Sequence, residues 1–245
     1  MRTITRPFLL LSTRPENEAA LAERESFSVA LGVPVDAVEQ RRLESAPMGE
    51  VDLDRYSGVL LGGSPFNNTA PAKSPLQLRV EREIGTLVAE VIDRDFPLLG
   101  ACYGIGAIGT AIGARLGTEN AEDAGTIEVS LSDAGRHDPL LAGFPGTFAS
   151  IVGHKEALSA LPATATVLAE GAACPVQMFR VGTNVYATQF HPELTAESLE
   201  ARLRIYADQG YYDARELDGI LERAYAADYT WNRRILENFA FRYGR

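Results

Sequence analysis

Short, wholly apolar runs alternate with longer stretches of helical period through the first half of the chain. Phe8-Leu9-Leu10-Leu11 opens the series, and Gly58-Val59-Leu60-Leu61 and Phe96-Pro97-Leu98-Leu99 continue it. Runs this short and apolar at every position mark strands buried on both faces. Between them the pattern predicts a helix over 16–31, and Val80, Ile84, Leu87, Val88 and Val91 fall at helical spacing in a second helix that ends before Pro97. A third helix is predicted over 103–116. Its Gly104, Gly106, Gly109 and Gly113 each cost about 1 kcal/mol of helix propensity relative to alanine, which points to close packing of this helix on the sheet. The strand-helix rhythm predicts a parallel sheet.

From Thr126 the pattern shifts to alternating segments, with strands predicted over 126–131, 147–151, 164–169, 176–180 and 184–189 and turns at Gly143-Phe144-Pro145-Gly146 and Val181-Gly182-Thr183-Asn184. From Ala196 the chain reads helical to its end, through Leu199, Leu203 and Tyr206, then Leu217, Ile220 and Leu221, then Trp231, Ile235, Leu236 and Phe239. This tail is expected either to cap the core or to form a subunit contact in a homo-oligomer. The predicted class is α/β: a mostly parallel central sheet flanked by helices, with an additional antiparallel β region and a helical C-terminal extension. Residues 1–245 are expected to form one domain, with its core at about 7–195 and the extension at about 196–245.

Composition narrows the functional classes. The 245 residues suffice for one large buried core. No apolar run reaches membrane-spanning length, so no membrane association and a cytoplasmic location are expected. The formal net charge is −10 and Arg41-Arg42 is too short to make a basic patch, which argues against a nucleic-acid partner. Glu197, Glu200, Asp208, Asp213, Glu216, Asp218 and Glu222 alternate with arginines as a solvated face. The two cysteines, Cys102 and Cys174, have no spacing of a metal site or a disulfide framework. No metal and no cofactor are expected, and Cys174, before Pro175, reads as structural.

Cys102 is different. It lies in Gly100-Ala101-Cys102-Tyr103-Gly104, directly after a buried strand and directly before a helix. A tight strand-to-helix turn needs small neighbours and presents its central side chain outward, as a nucleophile requires. The helix that starts at Tyr103 would aim free N–H groups and the positive end of its dipole at the sulfur. A nucleophilic thiol also needs a base, and the base needs an acceptor that fixes its tautomer. Gln189-Phe190-His191-Pro192-Glu193, at the end of a predicted strand, offers His191 and Glu193 for those two roles. His137, beside Asp138-Pro139, reads as a turn residue.

Together these segments resemble the class I (triad) glutamine amidotransferase family, whose nucleophile turn reads Gly-x-Cys-x-Gly and whose base segment reads His-Pro-Glu. Leu60-Leu61-Gly62-Gly63-Ser64-Pro65 extends the likeness, as does Val152-Gly153-His154-Lys155-Glu156, which stands where amidotransferase domains of the GMP synthase type have a Ser-His-Gly-Asp-like segment. The resemblance implies hydrolysis of the glutamine side-chain amide by a Cys102-His191-Glu193 triad through a γ-glutamyl thioester, releasing glutamate and ammonia. It implies oxyanion donors at the N–H groups of Gly63 and Tyr103, and substrate contacts at Gly62, Gln189 and His154.

The likeness breaks at one position. The family usually carries a glutamine four residues after the cysteine, where it touches the amino-acid end of the substrate; Gly106 stands here. Gln189, Glu128, His154 and Lys155 are the candidate replacements. No phosphate-cradling loop and no pyrophosphatase loop of the Ser-Gly-Gly-x-Asp-Ser type occurs, so a separate synthase subunit is the expected partner if ammonia is delivered to an acceptor. Two alternatives stand beside the glutaminase reading. One is a γ-glutamyl hydrolase for a γ-glutamyl amine or peptide, with Gly106 opening the pocket; the other is a non-catalytic regulatory or binding protein on the same fold.

Overall fold

The chain was described by a computed structural model over residues 4–206 and 212–245; Asp208 of the acidic tail lies outside the described residues. The first half builds β1 (Phe8–Ser12), α1 (Asn17–Leu31), β2 (Val38–Arg42), β3 (Gly58–Leu61), α2 (Pro75–Asp93), β4 (Leu98–Ala101), α3 (Tyr103–Ala111) and β5 (Arg115–Gly117). The second half builds β6 (Glu122–Leu131), the single turn α4 (Asp133–Arg136), β7 (Thr147–His154), β8 (Ala157–Ala160), β9 (Ala165–Gly171), β10 (Met178–Val181) and β11 (Val185–Thr188). Three helices close the chain: α5 (Ala196–Ile205), α6 (Leu217–Ala226) and α7 (Thr230–Tyr243).

Nine strands form one sheet in the order β2-β1-β3-β4-β11-β10-β9-β6-β7. The first five run parallel, and β10, β9, β6 and β7 continue the sheet antiparallel. The antiparallel region is therefore largely an extension of the main sheet, and β5 with β8 makes a separate small antiparallel pair. β11 enters between the two halves, on β4. That pairing sets the end of β11, and the residues after it, beside the end of β4.

The period of two along β1 sorts its side chains. Phe8 and Leu10 face a layer that contains Phe27, Ala30 and Leu31 of α1 and Ile235, Leu236 and Phe239 of α7, whereas Leu9 and Leu11 face α2 and α3. The C-terminal helix thus closes one face of the central sheet. α5 and α6 pack separately over Ala124, Ile151 and Leu194.

The elements depart from the sequence expectation in several places, among them β8, where no strand was expected. α3 stops at Ala111, short of residue 116, because Gly113 takes a left-handed φ of 78° and redirects the chain into β5. β2 lay outside the apolar-run criterion because Glu39, Gln40, Arg41 and Arg42 are polar; as an edge strand it needs only partial burial.

Candidate active site

Cys102 stands between β4 and α3 with φ 55° and ψ −99°, a conformation that costs a non-glycine residue about 1–3 kcal/mol. Two features hold it there. Its N–H donates to the Thr188 carbonyl at the end of β11, 2.8 Å away, tying the turn to the neighbouring strand. Its neighbours must also be small: a Cβ on Gly100 would lie 2.8 Å from Ile108 Cδ1, and one on Gly104 would lie 2.9 Å from the Leu61 carbonyl oxygen. The sharp turn expected from the sequence is present for those steric reasons.

Just beyond β11, His191 is fixed at its backbone from two sides. Its N–H donates to the Ile151 carbonyl of β7 at 2.8 Å, and its carbonyl accepts from Asn232 Nδ2 of α7 at 2.9 Å. Asn232 is itself oriented by Ser150 Oγ, which donates to Asn232 Oδ1 at 2.6 Å. His191 Nδ1 faces Glu193 Oε1 at 2.7 Å, and a carboxylate can only accept, so the proton sits on Nδ1 and Nε2 is free to exchange one. Cys102 and His191 line the same cavity.

Burial disfavours the charged ring, but Glu193 and the Cys102 sulfur outweigh it and raise His191 from 6.5 to about 9. Burial also opposes ionisation of Glu193; the His191 charge and hydrogen bond, with Arg202, overcome it and lower the carboxyl to about 2. Arg202, on α5, places Nη2 3.4 Å from Glu193 Oε1 and Nη1 3.2 Å from His191 Nδ1. Because Nδ1 already carries a proton, Arg202 acts on the pair through Glu193.

Gly63 lies against the same centre. A Cβ there would meet Arg14 Nη2 at 2.8 Å and His191 Cε1 at 3.0 Å, so a side chain at this position would displace the Arg14 guanidinium and crowd the His191 ring. Tyr103, the first residue of α3, has no helical acceptor for its N–H. Gly62 points the other way, toward the Glu23 carboxylate.

Two small cavities meet at Cys102. One is lined by Gln189, His154, Glu156 and Gly106, the other by His191, Arg14, Arg202 and an apolar wall. In the first, Gln189 is buried and its Oε1 has no partner among the described residues. His154 is also buried, with Nε2 2.9 Å from Glu122 Oε2 and Nδ1 3.1 Å from the Glu156 carbonyl. Gln177 adds a 2.6 Å bond to the same Glu122 oxygen. Donor atoms of Glu122, His154 and Cys174 come within 4.8 Å of one another, a group of metal-ligand types that linear spacing could not reveal. Burial pushes the Cys174 thiol up to about 11, in keeping with its structural reading.

The space at Gly106 is filled. A Cβ there would lie 2.7 Å from Asn68 Nδ2, and Glu156 holds that loop by accepting from the N–H and side-chain amide of Asn68 and from the N–H and hydroxyl of Thr69, all at 2.8 Å. Gly106 therefore does not open the pocket; Asn68 and Glu156 occupy the vacated position. Glu128, by contrast, is exposed on β6 and lines neither cavity. Sequence reasoning missed Arg14, Asn68, Glu156 in its clamping role, Arg202 and Asn232. A signal existed for Arg14: Ser12-Thr13-Arg14 turns polar at the carboxyl end of a parallel strand, where ligand sites on such sheets lie.

Residues 24–204 match the family model described as "Glutamine amidotransferase class-I". The chain is 31% identical over 176 residues to the glutamine amidotransferase-like protein YfeJ of Salmonella typhimurium, covering 71% of this chain and 70% of that protein. It is 28% identical over 158 residues to gamma-glutamyl peptidase 3 of Arabidopsis thaliana, covering 61% of this chain and 59% of that one. Similarity to the GMP synthase of Borreliella burgdorferi spans only 27% of the synthase's length. A solved glutamine amidotransferase from Thermotoga maritima superposes with a TM-score of 0.79 at 20% identity, over 98% of both chains, a likeness of fold.

Proposed function

Starting from the premise that the chain belongs to the class-I glutamine amidotransferase family, we propose that it hydrolyses the side-chain amide of glutamine or of another γ-glutamyl compound through a thioester on Cys102. The observation that carries this reading is His191, held by Glu193 at 2.7 Å, lining one cavity with Cys102, which stands at a strained turn between β4 and α3.

In this reading the thiol proton has already passed to His191 Nε2, and the Cys102 sulfur bonds to the γ-carbonyl carbon. Glu193 keeps the ring in the required tautomer and stabilises its cation. A ring whose proton affinity is raised to about 9 holds that proton at neutral pH until the leaving nitrogen accepts it. The N–H groups of Tyr103 and Gly63 are assigned to the developing oxyanion; losing one such donor typically costs on the order of 100- to 1000-fold in rate. Water then cleaves the thioester, releasing glutamate and restoring the thiol. Gln189, with its buried unpartnered Oε1, and the Asn68–Glu156 pair are assigned to the amino-acid end of the substrate.

A second reading concerns what leaves. Similarity to a protein named gamma-glutamyl peptidase favours an amine or peptide as leaving group, whereas similarity to GMP synthases favours ammonia passed to a separate synthase subunit. The test is glutamate release by the purified chain from glutamine and from γ-glutamyl amides. Activity that disappears in Cys102→Ala supports the proposal. Equal glutamate release by the parent and Cys102→Ala, or no release from any γ-glutamyl compound together with no labelling of Cys102 by a glutamine-like electrophile, rejects it in favour of a non-catalytic role.

A further inference from the structure

The two cavities that meet at Cys102 are chemically unlike, and His191 borders only one of them. The leaving nitrogen must collect its proton from His191, so the leaving group departs on the His191 side and the glutamyl part lies on the other. Ammonia needs no walls. The His191-side cavity nevertheless has an apolar wall that includes Ala124, Ile151, Val152, Leu199 and Leu203, and two guanidinium groups, Arg14 and Arg202.

Arg14 is buried and Arg202 half-buried beside the reacting centre. Arg14 commits Nε to Glu23 Oε1 at 2.9 Å and Nη1 to Tyr206 Oη at 3.2 Å, which leaves Nη2 beside Gly63. Arg202 is engaged with Glu193. Burial and the like charge of Arg14 weaken the proton affinity of Arg202. An anion between the two relieves that repulsion, whereas an ammonium-bearing amine increases it.

We propose that the His191-side cavity is a leaving-group subsite for an amine bearing a carboxylate and a small aliphatic side chain, so that the preferred substrates are γ-glutamyl amino acids. Arg14 Nη2 is the specificity-determining donor to that carboxylate, and the apolar wall takes the aliphatic side chain. This rests on the reading of Cys102 as acyl-forming nucleophile. The sulfur bonds to the γ-carbonyl carbon, the C–N bond breaks, and the thiol proton passes through His191 to the nitrogen of the departing amino acid. Water completes the reaction by cleaving the thioester to glutamate. No oxidant, metal or nucleotide is required.

The experiment compares kcat/KM of the full chain for γ-glutamylvaline, γ-glutamylisobutylamide, which is the same amide without the carboxylate, and glutamine. Labelling of Cys102 by a glutamine-like electrophile is measured in parallel. The expected result is a preference for γ-glutamylvaline over both others of about tenfold or more, a typical value for a charged hydrogen bond that one substrate makes and the other lacks. In Arg14→Lys, which keeps a cation for Glu23 but removes the second guanidinium N–H, the ratio of γ-glutamylvaline to the isobutylamide should fall toward one, mainly through KM. Thermal melting checks that this variant is folded, and if it is not, the comparison of substrates on the parent chain decides. A ratio near one in the parent, a preference for glutamine, or a ratio that persists in folded Arg14→Lys overturns the subsite while leaving the thioester reading intact if Cys102 is labelled. No cleavage and no labelling overturns both.

Discussion

At the scale of single residues, His191 and Glu193 behave as one buried titrating unit, and pH should expose it. His191 has a raised proton affinity in the fold, so its contribution to stability is fully present below about pH 6.5 and is lost as pH rises through about 9. Glu193 is depressed, so its contribution is present above about pH 4.5 and is lost as pH falls toward about 2. Both shifts report one interaction and count once. The stability gap between the parent and Glu193→Gln, measured by urea unfolding, should be widest between about pH 5 and 6.5 and should narrow on either side. A gap independent of pH from 5 to 9 would show that the pair is not coupled as its 2.7 Å contact implies.

The residue scale also shows how the absence of the family's glutamine at Gly106 is met. Asn68 stands in that space because four donors from Asn68 and Thr69 converge on the Glu156 carboxylate. Glu156→Gln retains the shape but turns one acceptor oxygen into a donor facing N–H groups. A rise in KM of roughly tenfold with a smaller change in kcat is expected, as for loss of about 1.5 kcal/mol of charged hydrogen bonding on the substrate side. Steady-state kinetics on the γ-glutamyl compound that the parent chain cleaves fastest checks it.

At the scale of elements, the catalytic candidates sit where strands end. β4 delivers Cys102, β3 leads to Gly63, and β11, paired to β4, leads to His191. The least obvious element is α7, far along the chain, which supplies Asn232 to the His191 carbonyl and anchors that bond on Ser150 of β7. Asn232→Ala removes the Asn232 acceptor of the buried Ser150 hydroxyl and leaves the His191 carbonyl with only the longer 3.3 Å bond from the Leu194 N–H. A loss of about 1–3 kcal/mol in unfolding free energy should accompany a drop in kcat, because the residue would lose the shorter of the two bonds to its carbonyl. Unchanged kcat in a folded variant would mean that the Ile151 and Leu194 contacts suffice to position His191.

For the whole molecule, the C-terminal helices complete both core and site. α7 buries Ile235, Leu236 and Phe239 against the face of the sheet that holds Phe8 and Leu10, while α5 brings Arg202 and Leu203 to the cavity beside Cys102. We read the chain on this basis as one cooperative domain. Phe239→Ala should cost about 3–5 kcal/mol and lower the single unfolding transition as a unit, monitored by circular dichroism and by Cys102 reactivity. Two separated transitions would instead mark the tail as an independent piece.

Much of this was legible in the chain itself. Apolar runs located β1, β3 and β4; small residues around Cys102 announced a sharp turn; and His191 and Glu193, two positions apart, advertised a base with its acceptor. These signals are local, because strand burial, turn sterics and neighbouring side chains act over a few residues. What the sequence could not determine depends on neighbours that are distant in the chain: Arg14 beside Gly63, Asn68 in the space at Gly106, Arg202 against Glu193, and Asn232 under His191. A lone arginine or asparagine has the same residue chemistry on an exposed loop as in a site. Only packing, by choosing which charges and hydrogen-bond partners surround it, turns that residue into part of the cavities that meet at Cys102.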